Sequence, residues 1–107
     1  MPTRALFVLT TIGSAAAGRK LVRGLVKDRL VACGTLLPRG TSIYRWKGAV
    51  KEETEVVVLL KTDASKWDAL AAAVRDRHPY DVPELLALPV ERAHEPYLAW
   101  LTHEVMA

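Results

Sequence analysis

The chain has a single cysteine, Cys33, among its 107 residues, and this scarcity excludes an intrachain disulfide. Long hydrophobic segments are also absent. The apolar runs are short, such as the five residues Val56–Leu60, whereas a membrane-spanning helix needs ~20. The first residues lack the long apolar core of a signal peptide. We therefore expect a cytosolic location and no membrane insertion.

Dense clusters of one charge are lacking as well. The fifteen Lys and Arg residues outnumber the twelve Asp and Glu residues, but they are spread along the chain without interleaved aromatics. This pattern predicts no nucleic-acid partner. The sequence contains neither a Gly-x-Ser-x-Gly motif nor a P-loop, and no pair of acids is spaced for acid–base chemistry, so we expect no enzymatic activity.

The first half of the chain has the periodicity of a strand, a helix and a long hairpin. A strand is predicted over 4–11, followed by an amphipathic helix over 14–30 with Ser14 as its N-cap. The segments 31–46 and 49–62 flank the dipeptide Lys47-Gly48 and predict two arms of roughly fifteen residues each. Pro38 and Gly40 predict a bulge in the first arm.

The second half predicts a helix, a strand and a further helix. Ser65 and Asp68 have the spacing of a capping box, and Pro79 ends the helix that follows. A fourth strand is predicted over 84–90, and Pro96 suits the first turn of a last helix. The order predicts one α+β domain over 1–107, a ferredoxin-like βαββαβ sandwich with a long β2–β3 hairpin and an added C-terminal helix.

Three predicted strands are apolar without alternation, in the segments LFVL, VVVLL and LLALPV. Such runs are typical of strands that are buried on both faces. The two main helices of this fold cover only one face of the sheet. We therefore expect other copies of the chain to cover the second face, which predicts a homo-oligomer.

Five segments resemble the divalent-cation tolerance proteins of the CutA family, in that family's order and spacing: RLVACGTLLP, SIYRWKG, LLKT, HPYDVPELLALPVE and YLAWL. The resemblance implies a homotrimer whose long hairpins reach onto neighbouring subunits. It also implies a role in tolerance to copper and other divalent cations. The family is similar in architecture to trimeric signalling regulators that bind small ligands in clefts between subunits.

The resemblance further implies a metal site. The copper site proposed for the family corresponds here to His78 and Glu84, and a recurring family cysteine matches Cys33, a secondary ligand candidate. A third family ligand, a cysteine at the end of the first strand, is replaced by Thr10. Imidazole and carboxylate suit a cation such as Cu²⁺. The alternative is structural: His78 can bond free carbonyls at a helix end, and Cys33 can be a small core residue.

Tyr44, Trp46, Lys61 and Tyr80 are predicted to form a polar and aromatic surface where the hairpin meets a neighbouring subunit. A cationic Lys61 would receive an anion there; the alternative is interface packing by aromatic anchors. We predict a cytosolic homotrimer that binds divalent cations such as Cu²⁺ for metal tolerance and needs no cofactor to fold. The alternatives are a signalling or interaction module that binds a small anion between subunits, and a structural scaffold.

Overall fold

The computed structural model describes residues 2–106, which form one four-stranded antiparallel sheet and three α-helices. The elements follow the chain as β1 Ala5–Ile12, α1 Ala15–Lys27, β2 Cys33–Trp46, β3 Ala49–Asp63, a 3-10 turn Ala64–Lys66, α2 Trp67–Arg77, β4 Leu86–Pro89 and α3 Glu95–Met106. The strand order in the sheet is β2-β3-β1-β4, which is the ferredoxin-like order and agrees with the sequence.

Helix α1 begins where the sequence predicts, because Ser14 Oγ accepts a hydrogen bond of 3.1 Å from the Ala17 amide. The predicted capping box before α2 is wrong. Asp63 supplies the cap instead: its carboxylate accepts the amide of Ser65 at 2.9 Å and the Ser65 hydroxyl at 2.6 Å. The reason is the intervening 3-10 turn, which moves the first unpaired amides one turn upstream of α2.

The hairpin of β2 and β3 has the predicted turn and the predicted bulge. Lys47 and Gly48 have φ angles of 50° and 82°, and two positive φ angles in a two-residue loop characterise a type I′ turn. The pairing register shifts by one residue between Leu37 and Gly40, and Arg39 within this bulge has a φ of 62°.

Helices α1 and α2 pack on one face of the sheet and form the main core with the even-numbered residues of β1 and β3. The fully buried members include Leu25 of α1, Leu70 of α2, and Val8 and Leu60 of the sheet. Strand β4 is shorter than predicted, because only the four residues Leu6–Leu9 of β1 pair with it. Over residues 2–106 no helix has the length and apolar content needed to span a bilayer.

Helix α3 lies across the opposite face of the sheet but covers only one end of it. Leu101 and Val105 pack there against Ala5 and Ala32. The rest of this face, called the open face below, presents a continuous set of apolar side chains that β-sheet register places side by side: Phe7, Leu9, Leu37, Val57, Leu59, Leu86 and Leu88. Leu86 and Leu88 are each 58% exposed.

Candidate functional site: an acidic and aromatic groove

A solvent-open groove of about 770 Å³ lies between the hairpin, the end of β1 and the loop 78–85. This loop contains Pro79, the proline that ends α2, and it leads into β4. The groove is lined on the hairpin side by Ser42, Ile43, Tyr44, Trp46, Lys51, Glu53 and Glu55, and on the other side by Thr11, Tyr80, Asp81, Val82, Pro83 and Glu84.

The bulge in β2 decides which hairpin side chains enter the groove. Before the bulge, odd-numbered residues of β2 pair with odd-numbered residues of β3, as Leu37 does with Val57. After it, even-numbered residues take that side: Gly40 pairs with Glu55, and Tyr44 pairs with Lys51. Alternate residues of a strand share a face. The extra residue therefore turns Tyr44 and Trp46 to the same face as Glu53 and Glu55.

Glu55 is a buried carboxylate, with 6% of the residue exposed. Its Oε2 accepts a hydrogen bond of 2.7 Å from the Tyr80 hydroxyl. Burial by itself would raise the pKa of Glu55, but interactions with the hydroxyls of Ser42, Tyr80 and Thr11 outweigh this and lower it. Glu55 is therefore held as an anion at the base of the groove.

The two tyrosines of the groove each donate to a glutamate. Tyr44 Oη donates to Glu53 Oε1 at 2.6 Å, and this bond raises the pKa of the Tyr44 phenol. The pKa of Tyr80 is raised further, first by burial and then by its bond to Glu55. Both phenols therefore remain protonated donors at neutral pH.

His78 is buried, and both of its ring nitrogens are occupied. Nδ1 accepts a hydrogen bond of 3.1 Å from the Tyr80 amide, so Nε2 carries the proton and donates to the Thr11 carbonyl at 2.7 Å. The rings of His78 and Tyr80 also lie 4.7 Å apart. In this arrangement neither nitrogen offers a lone pair to a metal ion; His78 fastens the loop to the end of β1 and positions Tyr80.

The other predicted metal ligands lie apart from His78. Glu84 is exposed and lines the groove. Cys33 pairs with Lys61 of β3, whereas Thr11 pairs with Val57 of the same strand. Four residues of β3, or ~13 Å at the rise of a strand, separate these two pairing positions. The Cys33 thiol instead lies 3.5 Å from the Tyr97 hydroxyl, an interaction that with burial raises the pKa of Tyr97 to about 12. Thr10 is buried on the helix-covered face.

Within residues 2–106, no group of three or more His, Cys, Asp or Glu side chains converges as a metal site would require. The three predicted ligands therefore do not form one preassembled site within a single chain. Only the resemblance to the family grouped these three residues into one site. In the structure, the pairing register of β2 with β3 places Cys33 at the far end of the sheet.

Lys61 does not join Tyr44, Trp46 and Tyr80 within a single chain. Its Nζ donates to Thr35 Oγ1 at 3.2 Å, and ten residues of β3, or ~33 Å, separate it from Lys51, the partner of Tyr44. The basic residue in the groove is Lys51, which sequence reasoning missed. Glu55 was not predicted either. Its position directly before the apolar run Val56–Leu60 is the signal in the sequence that could have indicated it.

The groove is acidic overall. Four carboxylates line it, those of Glu53, Glu55, Asp81 and Glu84, together with the single ammonium of Lys51. A concave surface with this excess of one charge attracts ions of the opposite sign. The groove of a single chain therefore favours a cation over the small anion considered from the sequence.

The fold and the groove together define a ferredoxin-like α+β domain with one largely uncovered apolar sheet face and an acidic, aromatic-lined groove. The model of the family described as CutA1 divalent ion tolerance protein matches residues 6–104. This match covers most of the chain, and the chain belongs to the CutA family.

Individual relatives agree with this assignment. The chain is 44% identical to the protein CutA homolog of Xenopus laevis over 85% of its own length. It spans between half and three fifths of the length of the vertebrate relatives that it matches. The divalent cation tolerance protein of Thermus thermophilus superposes with a TM-score of 0.91 at 40% identity, covering 94% of this chain and 97% of that one.

A third relative bears on location. The CutA structure from Archaeoglobus fulgidus has a TM-score of 0.91 at 27% identity, with 94% of this chain and 98% of that chain covered, and is described as a periplasmic divalent cation tolerance protein. Membership of the family is therefore compatible with more than one compartment, and the cytosolic location stays a prediction.

Proposed function

We propose that this protein is a homotrimeric, divalent-cation-binding protein of the cytosol that contributes to metal tolerance. Membership of the CutA family, whose model is described as a divalent ion tolerance protein, supports the physiological role. The observation that carries the proposal for this chain is the groove, whose lining contains four carboxylates and one ammonium.

The proposed ligands are the exposed carboxylates on the loop side of the groove, Glu84 with Asp81. A copper-type site that also uses His78 requires a rearrangement, because metal ligation at Nδ1 displaces the Tyr80 amide and ligation at Nε2 displaces the Thr11 carbonyl. Losing either bond costs on the order of 1 kcal/mol. Within residues 2–106 no third His, Cys, Asp or Glu side chain converges with these two carboxylates, so we expect weak binding in which Cys33 of the same chain takes no part.

Calorimetric titration with Cu²⁺, Zn²⁺ and Mn²⁺ tests this proposal. Glu84→Gln removes one ligand charge at nearly constant shape and is expected to weaken binding roughly tenfold, which is what a ~1.4 kcal/mol contribution gives. The matched control is Glu91→Gln, which alters another exposed glutamate that does not line the groove. Equal affinities for the Glu84→Gln variant and the unaltered protein would refute the proposed site.

The same titration of a His78→Gln variant separates the two metal chemistries. A carboxylate site keeps its Mn²⁺ affinity in this variant, since Mn²⁺ prefers oxygen ligands. A selective loss of Cu²⁺ binding would instead assign His78 as a ligand and require the loop rearrangement described above. Each variant is compared with the unaltered protein by circular dichroism first, so that unfolding is not taken for lost binding.

The open face supports the proposed trimer. Seven apolar side chains of the sheet lie there, and Leu37, Leu86 and Leu88 are each about half exposed. Contiguous apolar patches of this kind mark association surfaces in proteins. The expected mass in solution is roughly 35 kDa, three times the 11.8 kDa of one chain. A folded monomer by light scattering would refute this part of the proposal.

A further inference from the structure

A second pocket, of about 320 Å³, lies between α2 and the loop 78–85, on the helix-covered side of the sheet. One of its walls is a face of α2, formed by Trp67, Ala71, Val74 and Arg75. These positions recur at intervals of three and four residues, so their side chains share one face of the helix. Because the open face is on the other side of the sheet, association through that face leaves this pocket accessible.

Most of the lining of this pocket is apolar. The loop contributes Val82, Pro83 and Leu85 to the second wall. Trp67 and Leu85 pack against the main core but are only partly buried, and Val82 is 70% exposed. A volume of about 320 Å³ is at the lower end of the range of small-molecule sites, ~300–1,000 Å³. The pocket therefore suits a small ligand with an apolar part.

The lining also contains one residue of each charge. Arg75 is on the wall formed by α2, and Asp81 is on the wall formed by the loop. Both are exposed, and neither belongs to an ion pair within residues 2–106. The nearby guanidinium of Arg77, in contrast, pairs with Asp28 at 2.7 Å. A ligand with one negative and one positive group can therefore bind Arg75 and Asp81 without displacing an existing ion pair.

The two charged residues lie towards one end of α2 and the tryptophan lies at the other. Trp67 is the first residue of the helix, and Arg75 follows eight residues later, ~12 Å along the axis. Asp81 is three residues beyond His78, where α2 ends, and its Cα is therefore at most ~11 Å from that end. The carbonyl end of a helix also attracts a positive group. The charged part of a ligand is expected there, with its apolar part directed towards Trp67.

From this arrangement we propose that the pocket binds a free α-amino acid with an apolar side chain. Its carboxylate pairs with the guanidinium of Arg75, a geometry that permits two parallel hydrogen bonds, and its ammonium group pairs with the carboxylate of Asp81. Its side chain lies against Trp67 and the aliphatic residues of the loop. Such a ligand goes beyond the divalent cation of the proposed function, and its pocket is separate from the groove, although Asp81 lines both.

Calorimetric titration of the metal-free protein with L-leucine tests the proposal. Arg75→Gln and Asp81→Asn are each expected to weaken L-leucine binding about tenfold, the effect of losing one charge-assisted contact. Two analogues of leucine that lack one charge each are expected to bind about tenfold more weakly than L-leucine. They are 4-methylpentanoate, which has no ammonium group, and 3-methylbutylamine, which has no carboxylate.

Two exposed residues outside the pocket provide matched controls. Asp76→Asn changes the residue next to Arg75 on α2, and Arg23→Gln changes an arginine of α1; neither position lines the pocket. Both variants are expected to keep the L-leucine affinity of the unaltered protein. Losses equal to those of Asp81→Asn and Arg75→Gln would mean a general effect of surface charge and would overturn the proposal. Circular dichroism first shows that each variant is folded.

Three further outcomes would overturn the proposal. The first is the absence of L-leucine binding at millimolar concentrations. The second and third are equal affinities for L-leucine and 4-methylpentanoate, or for L-leucine and 3-methylbutylamine, since either result would leave one of the two charged residues without a role. The metal titration gives a separate result, because Arg75 does not line the groove. Arg75→Gln is expected to weaken L-leucine binding and to keep the metal affinity of the unaltered protein, whatever the effect of Glu84→Gln.

Discussion

The hydrogen bond between Tyr80 and the buried Glu55 attaches the loop 78–85 to the sheet, and its contribution to stability can be measured. Tyr80→Phe removes only the hydroxyl that donates to Glu55 Oε2 at 2.7 Å. Because Glu55 is 6% exposed, water cannot readily replace this donor. Hydrogen bonds to charged groups contribute about 1.5–3 kcal/mol, so the expected loss in free energy of unfolding is about 2 kcal/mol.

The matched control is Tyr44→Phe. It removes a hydrogen bond of nearly the same length, 2.6 Å to Glu53, but at a solvent-accessible site on the hairpin. Water replaces the lost donor there, so a much smaller loss is expected. Both variants are unfolded in guanidinium at one fixed protein concentration and followed by circular dichroism, because the proposed trimer would make the apparent stability depend on concentration.

The effect of Tyr80→Phe depends on pH with a predictable sign. The pKa of Glu55 is lowered in the folded state, so its contribution to stability is fully present above the ordinary glutamate value of 4.5 and is lost as the pH falls through the lowered value. Once Glu55 is protonated, the bond to Tyr80 joins two neutral groups and contributes less. The difference between Tyr80→Phe and the unaltered protein should therefore shrink in acid.

Two results would refute this reasoning. Equal losses in the Tyr80 and Tyr44 variants would show that burial does not strengthen the bond to Glu55. A loss in Tyr80→Phe that stays constant as the pH falls well below 4.5 would show that the charge of Glu55 is not what the hydroxyl stabilises.

Two predictions concern the packing of the two sheet faces. Gly34→Ala is expected to cost about 1–3 kcal/mol in unfolding free energy, because its Cβ would lie 2.7 Å from Val22 Cγ1; the exposed Gly13→Ala, whose nearest contact is 3.5 Å, should change little in the same denaturation assay. Leu88→Lys places a charge on the open face and should lower the mass measured by light scattering. Val26→Lys, on the outer side of α1, should leave that mass unchanged, and an unchanged mass for Leu88→Lys would place this residue outside any interface.

The features that the sequence predicts correctly are local ones. Ser14 caps α1 because an N-cap needs only its own hydroxyl and an amide three residues ahead. Lys47 and Gly48 form the hairpin turn because the flanking strands meet there with two residues between them. The open face is also visible in the sequence, since strands without alternation, such as Val56–Leu60, have apolar side chains on both sides.

The features that only the tertiary structure decided depend on register. One extra residue in the bulge at Pro38 turns Tyr44 and Trp46 towards Glu53 and Glu55, and a hairpin without it would present them on the other side of the sheet. The same pairing carries Lys61 and Cys33 to the far end, away from the groove. The engagement of both His78 nitrogens likewise depends on where α2 ends relative to β1. The sequence determines the side-chain types and the local periodicity. The distances between side chains of different strands are determined only when the strands pair.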